Sequence, residues 1–134
     1  MPKLEYFLVA ESMAMDKNRN TVSLFHVMES LSGGSPPLLV PTLVAVSCWK
    51  ISDEEMGSDF QAALKIHLPG GQALPEEFEE STINFTPHER RFRTHHFVKG
   101  LRIDHVGDVK FEMVLNGKHV AEHVVSIEPA DQGD

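Results

Sequence analysis

The residues best suited to chemistry in this 134-residue chain are its eight histidines, five of which, His95, His96, His105, His119 and His123, fall in the last third. Imidazole nitrogens are common ligands for zinc and copper, so His95, His96, His119 and His123 are the candidates for a metal centre. Spacing argues against a local one. On an extended strand, adjacent His95 and His96 point to opposite faces, while His119 and His123 point to one face about 13 Å apart at ~3.3 Å per residue. No Cys-x-x-Cys or His-Glu-x-x-His pattern occurs. A metal-binding protein or metalloenzyme would therefore need these side chains assembled across strands, and solvated strand faces account for them without a metal.

The second group is the run His88-Glu89-Arg90-Arg91-Phe92-Arg93-Thr94-His95-His96, which is basic within an acidic chain. Arginine offers a planar fork of donors to carboxylates, which makes Arg91 and Arg93 candidates for binding an acidic partner. The competing expectation is internal. If the segment 78–85 returned antiparallel through Thr86 to Glu89, then Glu76, Glu77, Glu79 and Glu80 would lie opposite the arginines.

Nucleophiles are sparse. Cys48, the single cysteine, sits in Val44-Ala45-Val46-Ser47-Cys48-Trp49, an apolar strand without the helix terminus or cationic setting that activates a thiol. Trp49 beside it reads as a core residue. No nucleophile elbow, phosphate loop or dinucleotide fingerprint occurs, and Gly70-Gly71 is not followed by a helical pattern. The sequence names no catalytic residue and no cofactor.

The elements that must position these groups are strands. Phe60, Ala62, Leu64, Ile66 and Leu68 alternate with Gln61, Ala63, Lys65 and His67, a period of two. Val109, Phe111, Met113 and Leu115 alternate likewise, and Asn116-Gly117 then predicts a type I′ turn into a strand over Lys118–Ile127. Further strands are expected at Leu4–Ser12, Thr21–Met28, Leu43–Ile51, Phe78–Phe85 and Arg91–Ile103, the last either long or bulged around Gly100. Asp16 to Asn20 predicts a hairpin loop, and Ser52 with Glu55 forms either a capping box on a short helical turn or part of a hairpin loop. Eight antiparallel strands, each with one apolar face, must stack as two sheets.

Three stretches carry a family resemblance: Ala10-Glu11 with Asp16 to Asn20; Val22-Ser23-Leu24-Phe25-His26-Val27-Met28; and Gly107-Asp108-Val109-Lys110-Phe111-Glu112-Met113-Val114-Leu115-Asn116-Gly117. In these the chain resembles a family of small bacterial single-domain proteins with a domain of unknown function. The resemblance implies an eight-stranded, immunoglobulin-like sandwich over most of the chain and brings no function with it; separately, the loop Ser32-Gly33-Gly34-Ser35-Pro36-Pro37 excludes regular pairing and suggests a Greek-key crossing. Glu76 to Glu80 and the Arg/His-rich strand after it depart from the family's less charged pattern.

Length and composition fit one domain over residues 1–128 and a polar tail over 129–134. With 12 basic and 20 acidic residues, a formal charge of −8 and no basic stripe, nucleic acid is not the expected partner. The apolar stretch Tyr6–Ala10 is shorter than a signal-peptide core, and no run reaches ~18 apolar residues, so the expectation is a cytoplasmic protein that does not cross a membrane. Pro36-Pro37-Leu38-Leu39-Val40-Pro41 joins proline stiffness to aliphatic side chains. It is either a docking segment, with Leu38 and Leu39 as contacts, or a strip packed along a sheet edge. The expected function is non-enzymatic: binding a protein partner or a second copy through an open edge. A histidine metal protein and a small-ligand carrier with its pocket between the sheets are the alternatives, although no residue pattern marks such a pocket.

Overall fold

The computed structural model describes residues 1–31, 35–78 and 81–129. Among these described residues nine strands form: β1 (Lys3–Asp16), β2 (Thr21–Val27), β3 (Ser30–Leu31), β4 (Leu38–Lys50), β5 (Phe60–His67), β6 (Ser81–Phe85), β7 (Arg91–Ile103), β8 (Gly107–Leu115) and β9 (Lys118–Ile127). They make a two-sheet sandwich. One sheet has the order β2-β1-β4-β7 and the other β3-β9-β8-β5-β6. All pairings are antiparallel except the two-residue contact of β3 with β9. Among the described residues no helix is long and apolar enough to cross a membrane.

The alternating segments form strands because one face of each reaches the core. Phe60, Ala62, Leu64 and Ile66 of β5 meet Val109, Phe111, Met113 and Leu115 of β8, and across the gap lie Leu43, Ala45 and Trp49 of β4. Trp49 is fully buried. Its Nε1–H donates to Thr94 Oγ1 at 3.3 Å, and Thr94 also shares a hydroxyl–hydroxyl bond with Ser47 directly opposite. The indole and both hydroxyls thus satisfy one another inside the sandwich, where an unpaired donor is costly.

Local turn chemistry is met where it was expected. Asn116 (φ 49°) and Gly117 (φ 80°) both take the positive φ of a type I′ turn. The Ser52–Glu55 segment is a short 3₁₀ turn, with the Glu55 carboxylate accepting the Ser52 N–H at 2.8 Å. Gly100 (φ 70°) faces Pro41 across β4–β7, at the one position of that ladder left unpaired. Proline lacks the N–H to pair there. The interruption shifts which residues face the core: Thr94, His96 and Val98 are buried before it and Leu101 and Ile103 after it.

Other expectations need correction. The segment 78–85 is not one strand: Glu76–Phe78 is a 3₁₀ turn, and pairing starts at Ser81. Nor does it return onto the arginine strand, because β6 pairs with β5 in one sheet while β7 pairs with β4 in the other. β4 begins at Leu38, five residues early, and over that added stretch it is bordered by β7 alone, since β1 pairs no further than Val44. β1 runs on to Asp16. The expected tail lies, beyond Pro129, outside the described residues.

The largest departure is how the β1–β2 hairpin lies. β1 pairs with β4 only as far as Ala10↔Val44. Beyond that point, near His26 (φ 58°) of β2, the ribbon leaves the sheet. Met13 and Leu24 then pack on Ala10, Val44 and Val46, on the side of the sheet away from the core. At its tip the Asn20 side-chain oxygen accepts from an Arg93 Nη at 2.7 Å. The hairpin therefore covers the outer face of its own sheet, which explains why Val44, Val46 and Cys48 are buried although their neighbours Ala45, Ser47 and Trp49 already face the core.

Candidate partner-binding edge

β7 is a 13-residue strand that, among the described residues, is bonded to β4 on one side only and forms the edge of its sheet. The Ile51 N–H donates to the Arg90 carbonyl at 2.7 Å, which sets the phase of the ladder. In an antiparallel pair, alternate residues direct both backbone groups to the same neighbour. Arg90, Phe92, Thr94, His96 and Val98 thus turn theirs to β4, and Arg93, His95 and Phe97 turn theirs to the open edge. Natural edges of this length are usually blunted, because a row of free N–H and C=O groups is a template for another strand.

The side chains of the edge-facing residues lie on the outer face. Phe97 is 65% exposed. β7 holds four cations, Arg91, Arg93, Lys99 and Arg102, and no acid, in a chain whose acids outnumber its bases 20 to 12. Arg91 pairs with Glu5 at 2.9 Å and Arg102 with Asp104 at 2.7 Å. Arg93 donates to the Asn20 side chain and approaches its carbonyl, both neutral acceptors. The expected pairing with the acidic run is therefore replaced: Arg90 meets Asp53 and Arg91 meets Glu5, while Glu79 and Glu80 lie outside the described residues.

Two hollows flank this strand. On the outer face, Met15, Asn20, Cys48, Arg91, Arg93 and His95 border a hollow of about 300 Å³ under the hairpin tip. Burial and the nearby Glu5 carboxylate push the Cys48 thiol up, against a smaller opposing pull from Arg93, so it is held protonated. Burial likewise raises the Tyr6 phenol beside it and lowers His95, whose Nε2 is buried without a hydrogen-bond partner among the described residues. Between β7 and β5, a groove of about 610 Å³ is lined, among the described residues, by Ile66, Glu77, Phe78, Ser81, Val98 and Lys99.

The sequence-derived candidates disperse. Arg91 and Arg93 lie on this edge. Leu38 packs half-buried against the core and Leu39 is 66% exposed, but both lie at the far end of the β4–β7 ribbon, opposite Ile103 and Arg102. The four histidines occupy four separate settings. His95 is on the outer face of its sheet. His96, 1% exposed, crosses the core to hydrogen-bond the Ala62 carbonyl at 3.2 Å. His123 Nε2 reaches the Met28 carbonyl at 2.5 Å, and His119 Nδ1 reaches Glu112 Oε2 at 2.7 Å. His119 and His123 do not share a face as their spacing predicts, because a bulge between Met113 and Val114 adds a residue to β9 and reverses the alternation. Among the described residues no three His, Cys, Asp or Glu side chains converge to hold a metal ion.

Sequence reasoning missed Phe97 and Lys99. The signal was present in Arg-x-Arg-x-His-x-Phe-x-Lys over 91–99, whose period of two puts these five side chains on one face. It also missed Glu112, which bridges His67 (3.0 Å) and His119 across the other sheet's outer face and whose carboxyl those two bonds hold below the ordinary value, His67 foremost. Comparison with protein-family models and with curated proteins finds no match. Function therefore has to be argued from this geometry.

Proposed function

We propose that the protein is a cytoplasmic, non-enzymatic interaction module that takes up an extended, acidic segment of a partner protein as an added strand along β7. The observation that carries this reading is the edge at Arg93, His95 and Phe97, unpaired among the described residues and bordered by cations and by an exposed aromatic ring. Main-chain bonds along such an edge supply affinity and the flanking side chains supply selectivity. Acidic residues on the added strand complement Arg93 and Lys99. A second copy of the chain is the poorer occupant, because pairing β7 with itself brings cation against cation.

The test uses proline. His95→Pro removes an N–H that points to the open edge and leaves the β4 ladder intact, which edge strands tolerate. A fluorescein-labelled peptide of alternating glutamate and valine is titrated against the native protein and His95→Pro by anisotropy. Saturable binding that weakens with added salt and falls at least tenfold in His95→Pro is expected. Equal affinity for the two proteins refutes strand addition at β7.

A further inference from the structure

The hollow of about 300 Å³ under the hairpin tip lies on the β4 side of β7, so nothing about it depends on the open edge. Its frame is set locally. The Asp16 carboxylate accepts the Asn18 and Arg19 N–H groups at 3.0 and 3.2 Å, and this turn, with Asn20 at φ 54°, brings the Asn20 side chain onto Arg93. Strand register supplies the floor. Cys48 stands opposite Arg93 on the outer face of the sheet, and His95 follows two residues along β7 on that same face. Met15 of the hairpin borders the same space.

The groups around this hollow are mostly cations and donors. Arg93 makes one short bond, to the neutral Asn20 side chain at 2.7 Å, and reaches the Asn20 carbonyl only at 3.4 and 3.5 Å. Among the described residues no carboxylate lies within ion-pair distance of it, whereas Arg91 has Glu5 at 2.9 Å. A guanidinium bonded in this way keeps N–H groups of its fork for a further acceptor, and a carboxylate is the acceptor that matches the fork. His95 Nε2 has no hydrogen-bond partner among the described residues. Burial holds the Cys48 thiol and the Tyr6 phenol protonated, so neither is a competing anion. A metal cation would face Arg93 and a protonated thiol here, while an anion meets a cation and donors.

The surroundings also limit what kind of anion fits. Glu89 lies on the rim and Glu5 is near enough to act on Cys48, so a second negative charge is repelled. The Met15 thioether offers no donor but removes apolar surface from water when covered. We infer that the hollow binds a small monocarboxylate with a short aliphatic tail, its carboxylate on the Arg93 fork beside His95 and its tail against Met15.

Butyrate is the probe, with inorganic phosphate as the dianion for comparison at pH 8 and fixed ionic strength. In ¹H–¹⁵N spectra of the native protein, butyrate should shift the amides of Asn20, Cys48, Arg93 and His95 saturably, and phosphate should bind at least tenfold more weakly. Arg93→Gln removes the cation but keeps an amide that can donate to Asn20. It should weaken butyrate at least tenfold and leave the amides outside this region in place. Shifts that do not saturate, that scatter over the surface, or that keep the native affinity in Arg93→Gln overturn the site. Phosphate binding as tightly as butyrate overturns the monocarboxylate assignment. The native titration needs no variant, so it decides even if Arg93→Gln does not fold. A butyrate site in a protein that takes up no acidic peptide leaves this inference standing and the edge reading refuted.

Discussion

Lowering the pH from 7.5 to 5.5 should destabilise the protein through His96. This ring is 1% exposed, its Nε2 bonds the Ala62 carbonyl and its Nδ1 is buried without a hydrogen-bond partner among the described residues. Burial pushes its pKa below the ordinary value near 6.5; the Ala62 bond opposes this and neighbouring His95 adds to it. The unfolded chain therefore takes up a proton as pH falls through about 6.5 while the folded chain does not. His96 thus costs nothing above that pH, and stability drains below it until the lowered folded pKa is reached. One proton is worth up to about 1.4 kcal/mol per pH unit, so His96 removes up to ~1.4 kcal/mol between pH 7.5 and 5.5. His95, lowered by burial and by Arg93, acts with the same sign. Glu55, held low chiefly by the N-terminal amine, and Glu112 stabilise above the carboxylate range and lose that contribution only at more acid pH, outside this window. Urea unfolding followed by Trp49 fluorescence at both pH values measures the loss. His96→Gln keeps an amide donor for Ala62 and does not titrate, so it should lose less stability by the His96 share. An identical pH dependence in His96→Gln and the native protein would refute the assignment.

Thr94→Val should cost more than Ser47→Ala. The former strands both the Trp49 N–H and the Ser47 hydroxyl in the core, at about 1–3 kcal/mol for each unsatisfied group, whereas the latter leaves Trp49 its acceptor; urea midpoints of the two variants check the order. Gly117→Ala should cost only the left-handed backbone term of about 1–2 kcal/mol, because an added Cβ meets nothing within 4 Å. Gly70→Ala, at a similar φ, should cost more, since its Cβ falls 2.5 Å from the His105 ring; the difference in thermal midpoint between the two alanine variants tests this.

The outer face of the β7 sheet shows how a fold can hide one surface and leave another open. The β1–β2 hairpin shields Val44, Val46 and Cys48, and the Arg93–Asn20 contact ties its tip down. Phe97 lies beyond the hairpin's reach, with Lys99 beside it, so the uncovered part of the face coincides with the edge that is unpaired among the described residues.

By itself the sequence determined what depends on neighbours along the chain. The alternation over Phe60–Ile66 and Val109–Leu115, the Asn116-Gly117 turn, the Glu55 capping contact and a disturbance at Gly100 all follow from backbone geometry within a few residues. The two-sheet sandwich followed from these, because half-apolar strands have no other way to bury one face. Only the tertiary structure decided which strands pair. The run of glutamates and the run of arginines looked complementary, but β6 and β7 went to different sheets, and Arg91 found Glu5 at the other end of the chain. It also decided the bulge that parts His119 from His123, since a bulge exists only relative to a partner strand. The candidate edge belongs to this second kind: Arg93, Phe97 and Lys99 share a face by local alternation, but whether the strand bearing them is central or at an edge depends on the pairing of residues far apart in sequence.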